Sequence, residues 1–553
     1  MRKPRGADSP SAHSGTFVLA HPRGLLTAAS GLALLFSGAT ASAATCTDLL
    51  SLQLQDATVT SAATVSGTVT GPDGKNYSGL PSFCSVTILA TPTNDSAINY
   101  LLWIPDSTWN NRFVATGNGG YAGNIAIDAQ AMVYAVKHGF AVAATDMGTA
   151  PSSNNDADTL VGHPEKWIDW GSRSTHLMTT LSKRVLKAFQ GRGPRFSYFN
   201  GCSTGGQQAL LNAQRFPDDY NGILAGAPAH DRTHVHTAIE WLFAKTHKTP
   251  TSYITPDNVT LISNAILQAC VAKSGGAPGD AFLTDPRKCK WQPSELRCTS
   301  TGQTNCLNDD QVAAATAIYA GPSDPVTGKQ IFPGNPKGAE GASSFGWNAN
   351  QTGVEPNFGS MFKWVFGPTW TWQDFDFHND MRDLDRVLAG LLNVMNPDLT
   401  RFRQGGGKLL MYHGWADPLI SPQSSIDYYT NVVKLENGGQ FLPASTQNYF
   451  RLFMVPGMNH CFGGPGPHAF GNEFSGTIVI NEPPTDDAKH HALQALVAWV
   501  ERSRVPEKII ATKYTNDTPS AGIAMQRPIC PYPKVPRYLG TGSTAVPTSF
   551  VCR

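Results

Sequence analysis

The stretch Gly201-Cys202-Ser203-Thr204-Gly205 carries the pattern G-x-S-x-G. It follows an apolar run at 196–199 and precedes a helical segment that begins Gln207-Gln208-Ala209-Leu210. Small residues flanking a serine permit the sharp strand-to-helix turn that lifts a hydroxyl clear of the backbone. A serine so placed attacks acyl carbons, and the N–H of Thr204, at the helix start, faces the oxyanion that forms. A plain Gly-Ser turn is the competing reading in a chain with 53 glycines. The strand–turn–helix context favours the nucleophile.

A serine needs a base, and on such a scaffold the order along the chain is Ser, then Asp or Glu, then His. Two later strand ends qualify. Leu409-Leu410-Met411-Tyr412-His413-Gly414-Trp415-Ala416-Asp417-Pro418 sets Asp417 just after a strand. Phe453-Met454-Val455-Pro456-Gly457-Met458-Asn459-His460-Cys461 sets His460 in the loop after the next. Asp417 also reads as a helix N-cap before Pro418, and His460 is one of fifteen histidines. His413 competes for the base but precedes Asp417, which is the wrong order. The second oxyanion donor is expected in Thr116-Gly117-Asn118-Gly119-Gly120-Tyr121, with Gly120 first and Gly119 next. A phosphate-binding loop is the alternative there, but no G-K-[ST] follows.

All ten cysteines lie beyond residue 43, and none forms a close C-x-x-C pair. Disulfides are therefore the stronger reading and metal ligation the weaker. Cys202 immediately precedes the candidate nucleophile and Cys461 immediately follows the candidate base. If Ser203 and His460 meet, their neighbours fall within the roughly 4.4–6.8 Å between Cα atoms that a disulfide needs. The two motifs thus predict each other's position.

The elements that must hold these residues follow from periodicity. Residues 58–70 and 83–91, rich in Val, Thr and Ile, predict antiparallel strands. Residues 100–104, 113–116 and 141–145 predict buried parallel strands, with a helix over 125–137. Leu177, Leu181, Val185 and Ala188 share one helix face. Residues 223–225, 409–412 and 449–455 predict three more strands. A helix is expected over 485–502, with Thr485 as N-cap, Asp486 and Asp487 in its first turn, and Ala488, Ala492, Leu496 and Trp499 on one face. Strands alternating with helices imply a mostly parallel sheet covered on both sides.

Residues 230–400 break that rhythm with four cysteines, many Pro, Gly and Asn, and six of the twelve tryptophans. Inserted between two sheet strands, this segment is expected to form a lid-like domain, where α/β folds place ligands. Trp364, Trp370, Trp372, Phe375 and Phe377 crowd into fourteen residues. Flat rings suit stacking on an aromatic substrate, so Trp370 and Trp372, with His413, are the expected substrate contacts. Most of these rings are expected to build the core of the insertion instead.

At the other end, Arg2, Lys3, Arg5 and Arg23 precede an apolar stretch at 25–39, and Ala41-Ser42-Ala43 has the A-x-A form of a cleavage site. The stretch is too short to span a bilayer, and Gly31 and Gly38 interrupt it. A core helix or short anchor is the alternative to a secretory signal over 1–43. Losing its four basic and one acidic residue leaves 38 basic against 40 acidic groups. Such a balance offers no field for nucleic acid or anionic lipid, and no long membrane span is present. The expected location is extracellular or periplasmic.

The segments around Ser203, Asp417 and His460 together resemble the tannase and feruloyl esterase family, over nearly the whole chain after residue 43. The resemblance implies an α/β-hydrolase core at 44–229 and 401–553, a lid at 230–400, and the triad Ser203, Asp417 and His460. It also implies the pairs Cys202–Cys461, Cys46–Cys84, Cys270–Cys289, Cys298–Cys306 and Cys530–Cys552. Relatives bind calcium in the lid through three Asp and two carbonyls. Here Val271 and Ser274 replace the first two, residues 275–279 are lengthened, and only Asp280 matches. One carboxylate is a poor cage for calcium, so the site is expected to be weak or lost, and no cofactor is required. The implied activity is hydrolysis of aromatic esters, feruloyl or galloyl, through an acyl-enzyme. Terephthalate half-esters or other small aryl esters are the nearest alternative, and a catalytically dead binding protein the most distant.

Overall fold

The parallel part of the sheet is built on short, mostly apolar runs. In the computed structural model, which describes residues 44–300, 302–341, 346–472 and 481–553, eleven strands join into one sheet. They are β1 (Ala57–Thr70), β2 (Asn76–Ala90), β3 (Ile98–Pro105), β4 (Arg112–Thr116), β5 (Ala141–Thr145), β6 (Phe196–Cys202), β7 (Gly222–Gly226), β8 (Lys408–Gly414), β9 (Phe450–Val455), β10 (Ile509–Tyr514) and β11 (Ile523–Pro531). Their order is β1-β2-β3-β5-β4-β6-β7-β8-β9-β11-β10. From β5 to β9 the neighbours are parallel. Every residue of β5, β7 and β9 is buried, as strands covered on both faces require. This is an α/β-hydrolase fold.

Alternation along each strand divides the core in two. Phe113, Ala115, Phe199, Leu409 and Met411 face α2 (Ser174–Gln190), α3 (Thr204–Arg215) and α5 (Pro422–Glu436), through Met178, Leu210 and Tyr429. Val114, Tyr198, Leu410 and Tyr412 face α1 (Ala129–Lys137) and α6 (Ala492–Arg502), through Met132, Leu496 and Trp499. No helix among the described residues is long and apolar enough to cross a membrane.

Two local readings need correction. The strand expected at 100–104 is not parallel: β3 pairs antiparallel with both β2 and β5. A short connection returns the chain from Ala90 to its partner Ile98, and so short a link allows only antiparallel pairing. The helix expected from Thr485 begins at Ala492. Its supposed first-turn acids are engaged elsewhere. Asp486 accepts from the Tyr134 hydroxyl at 2.7 Å and pairs with His138 at 2.8 Å, and Asp487 accepts the N–H groups of Lys489 and His490. The β10–β11 hairpin, half polar in sequence, lies outside the strands that periodicity predicts. The proposed signal at 1–43 lies outside the described residues.

Residues 227–407 connect the adjacent parallel strands β7 and β8. After α4 (Arg232–Thr246), part of this insertion has its own core, with Ile262, Ile266, Trp291, Ala315 and Trp347. Another part shares a core with loops of the main body, where Phe358, Met361 and Trp364 meet Tyr121, Trp167 and Trp170. Residues Ala43–Arg553 form one compact unit.

Candidate active site

The parallel strands deliver the candidate residues to one end of the sheet. Ser203 follows β6 directly and caps α3 with φ 65° and ψ −117°, a conformation in which a side chain rarely stands and which the sharp strand-to-helix turn of a G-x-S-x-G motif requires. The glycines around it are required by contact. A Cβ on Gly201 would lie 2.7 Å from the Gly205 backbone, and one on Gly205 would lie 2.9 Å from Gly117 Cα.

Asp417 and His460 come from the loops after β8 and β9. Those loops interlock, with Trp415 N–H donating to Val455 O and Ala416 N–H to Met458 O, both at 2.9 Å. His460 Nδ1 lies 2.7 Å from Asp417 Oδ2. The other carboxylate oxygen accepts the N–H groups of Leu419 and Ile420 at 2.9 and 3.0 Å. Burial alone would raise the pKa of Asp417, but the charges and hydrogen bonds of His460 and His413 outweigh it and hold the carboxylate well below its ordinary range. The carboxylate and both histidines are buried.

Five disulfides are formed: Cys46–Cys84, Cys202–Cys461, Cys270–Cys289, Cys298–Cys306 and Cys530–Cys552. The second joins the residue before Ser203 to the residue after His460, with its Cα atoms 5.9 Å apart. Cys461 carries φ 63°, and its carbonyl accepts from Asn472 at 2.7 Å.

The loop after β4 packs against the start of α3. Gly119 N–H donates to Asn118 Oδ1 at 2.7 Å, whereas the N–H groups of Gly120 and Thr204 have no acceptor among the described residues. Gly120 sits at φ 53°, and a Cβ there would overlap Asn154 O at 1.9 Å. Asn118 organises this loop, although sequence reasoning does not single it out. Its backbone carbonyl accepts from Gly205 at 2.6 Å, its N–H donates to Gln208 Oε1 at 2.9 Å, and its amide donates to Thr145 O at 2.7 Å. An Asn enclosed by glycines is the available signal.

The structure places the three expected substrate contacts as follows. His413 is wholly buried. Its Nε2 reaches Asp417 Oδ2 and Ile420 O, both at 3.0 Å, and its Nδ1 lies 2.7 Å from Ser425 Oγ. Its ring is spent on holding the Asp417 carboxylate and the loop that follows. Trp370 stacks on Phe362 at 4.7 Å, and Trp372 packs edge-on against Phe243 at 5.3 Å and His247 at 6.0 Å. Both rings are engaged in the packing of the insertion.

The calcium ligands of the family do not fit here. The Asp280 side chain is covered, pairs with Arg527 Nη2 at 2.8 Å, and accepts Ala277 N–H at 2.8 Å. Ser274 Oγ donates to Val271 O at 2.7 Å and accepts Thr284 N–H. A guanidinium already neutralises the one matching carboxylate.

Comparisons with known proteins agree with this architecture. A family profile described as "Tannase and feruloyl esterase" matches residues 84–553. An uncharacterized esterase of Xanthomonas campestris pv. campestris is 36% identical over 96% of this chain and 94% of its own length. A protein of Aspergillus flavus described as "Probable feruloyl esterase B-2" is 31% identical over 81% of this chain and 83% of its own. The crystal structure of feruloyl esterase B from Aspergillus oryzae aligns with TM-score 0.81 and 27% identity, covering 92% of this chain and all of that one. Tannin acyl hydrolase from Aspergillus niger shares the fold, with TM-score 0.71 and 20% identity over 92% of this chain and 94% of that one.

Proposed function

This chain belongs to the tannase and feruloyl esterase family and is a carboxylic ester hydrolase, and we propose that it cleaves esters of phenolic acids through an acyl-enzyme on Ser203. The observation that carries this reading is the 2.7 Å contact between His460 Nδ1 and Asp417 Oδ2, on a loop tied by disulfide to the residue before Ser203. His460 Nε2 takes the Ser203 proton as Ser203 Oγ bonds to the ester carbon. Asp417 keeps the proton on Nδ1 and balances the imidazolium. The Thr204 and Gly120 N–H groups hold the oxyanion, and collapse expels the alcohol with the proton from His460. Water then repeats the sequence on the acyl-enzyme and releases the acid.

Feruloyl and galloyl esters are the preferred substrates in this reading, and the insertion acts as the lid that receives the ring. Support comes from the family and from the aromatic cluster that reaches Tyr121, next to Gly120. Five disulfides suit a secreted enzyme. The test compares kcat/KM for methyl ferulate and methyl gallate with short aliphatic esters. At least tenfold preference for the aromatic esters is expected; equal or better aliphatic turnover contradicts the substrate class.

A further inference from the structure

Arg232, the first residue of α4, is 3% exposed. No carboxylate among the described residues lies within 4.0 Å of its nitrogens. Asp231, its neighbour, turns instead to His234 at 3.1 Å and Asn393 at 3.0 Å. The guanidinium lies over the Trp170 ring, 4.8 Å from its centroid. Nε donates to Gln207 Oε1 at 3.0 Å, and Nη2 donates to Gln207 Oε1 and to Thr204 Oγ1, the latter at 2.9 Å. Burial pushes its pKa down to about 9, which leaves it a cation at neutral pH. A buried cation without a counter-ion is expensive.

The direction of the hydrogen bonds shows where this charge acts. A guanidinium only donates, so Thr204 Oγ1 must accept from Arg232 and send its own proton to Gly120 O, 2.8 Å away. The next N–H in the chain, Tyr121, donates to Asn154 O at 3.0 Å. The peptide joining Gly120 to Tyr121 is therefore held at both ends. Neither the Thr204 N–H nor the Gly120 N–H has an acceptor among the described residues.

We propose that Arg232 is a positioning residue for the oxyanion hole: through the Thr204 hydroxyl it fixes Gly120 against Thr204, and its uncompensated charge stands behind the N–H groups that receive the oxyanion. This inference rests on ester hydrolysis at Ser203, as proposed above. The negative charge missing from the resting protein is the one that forms in the transition state, so the arrangement favours that state over the bound ester. Any folded role alone would leave the ratio of kcat to KM effects unspecified; this role puts the effect in kcat.

The test uses the full-length mature enzyme with methyl ferulate and the anionic monomethyl terephthalate. Arg232→Gln is expected to lower kcat about ten- to hundredfold, less than the 10²–10³ typical of a lost oxyanion donor. KM should stay within about twofold, and the loss should be equal on both esters. Arg232→Lys should recover part of kcat, while Thr204→Val, which keeps its N–H, should lose as much as Arg232→Gln. The double variant should lose no more than either. If Arg232→Gln does not fold, Arg232→Lys and Thr204→Val carry the test. Wild-type kcat in Thr204→Val or in folded Arg232→Gln overturns the proposal, as does a loss confined to KM or to the anionic ester. A wild-type enzyme inactive on every ester would instead refute the function beneath it.

Discussion

His413 Nε2 and His460 Nδ1 converge on one oxygen of Asp417, at 3.0 and 2.7 Å. The carboxylate is thus held from both sides by imidazoles, and only His460 belongs to the loop tied to Ser203. Replacing Asp417 with Asn should lower kcat by about 10³–10⁴ with little change in fold, because the amide cannot hold the required tautomer. His413→Ala, which strands a buried carboxylate lone pair, should destabilise by about 1.5–3 kcal/mol and lower kcat less than Asp417→Asn. Steady-state kinetics and chemical denaturation of the two variants check the ranking. Equal kcat for His413→Ala and wild type would make that histidine purely structural.

The Cys202–Cys461 bond closes a loop with a sequence separation of 259. The chain-entropy relation gives about 5.6 kcal/mol for a loop of that length, as an upper value. Converting both cysteines to Ala should lower the Tm and cut kcat, since the Ser203 and His460 loops lose their covalent tie. Unreduced peptide maps should recover Cys202 linked to Cys461.

Arg527 and Asp280 are each buried, with 4% of each side chain exposed. Burial dominates both groups, raising the Asp280 pKa and lowering that of Arg527. Removing one partner leaves a buried charge, so Arg527→Met should destabilise by about 3–5 kcal/mol. If the guanidinium takes the place of an ion at this carboxylate, EDTA should leave the wild-type Tm within about 1 °C. A clear EDTA-induced drop would restore a calcium site to the insertion.

His234 is gripped by Asp231 at 3.1 Å and Asp385 at 3.0 Å. Burial works against its charge, but the two carboxylates prevail and raise its pKa from 6.5 to about 10. A folded pKa above the unfolded one gives stability that is complete below about 6.5 and lost as pH rises through about 10. The Tm gap between wild type and His234→Gln should be full at pH 6 and nearly closed at pH 10. A gap that does not change with pH would contradict the ion pairs.

The triad candidates were legible because each is a short motif at the end of an apolar strand, where chain order and local context coincide. The bond between Cys202 and Cys461 was legible for the same reason, since it follows from the meeting of two motifs. Asn118, His413 and Arg232 acquire their roles from contacts across the chain: Arg232 reaches Thr204 and Gln207, 28 and 25 residues earlier. No local pattern encodes that approach. The aromatic cluster was visible in sequence, but composition does not distinguish a ring in a pocket from a ring in a core, and Trp370 is in the core. The helix start at Ala492 was misplaced because Asp486 has a better partner in α1 than in its own helix.

The assignment of Ser203 as nucleophile is tested most directly by covalent labelling with an aryl fluorophosphonate, read by intact mass and then by peptide mapping. One adduct per chain is predicted, on Ser203, with the leaving fluoride lost. Ser203→Ala should gain no mass, and His460→Ala should react at least a hundredfold more slowly. An active wild-type enzyme that stays unlabelled, or that carries its adduct on any other residue, would contradict that assignment.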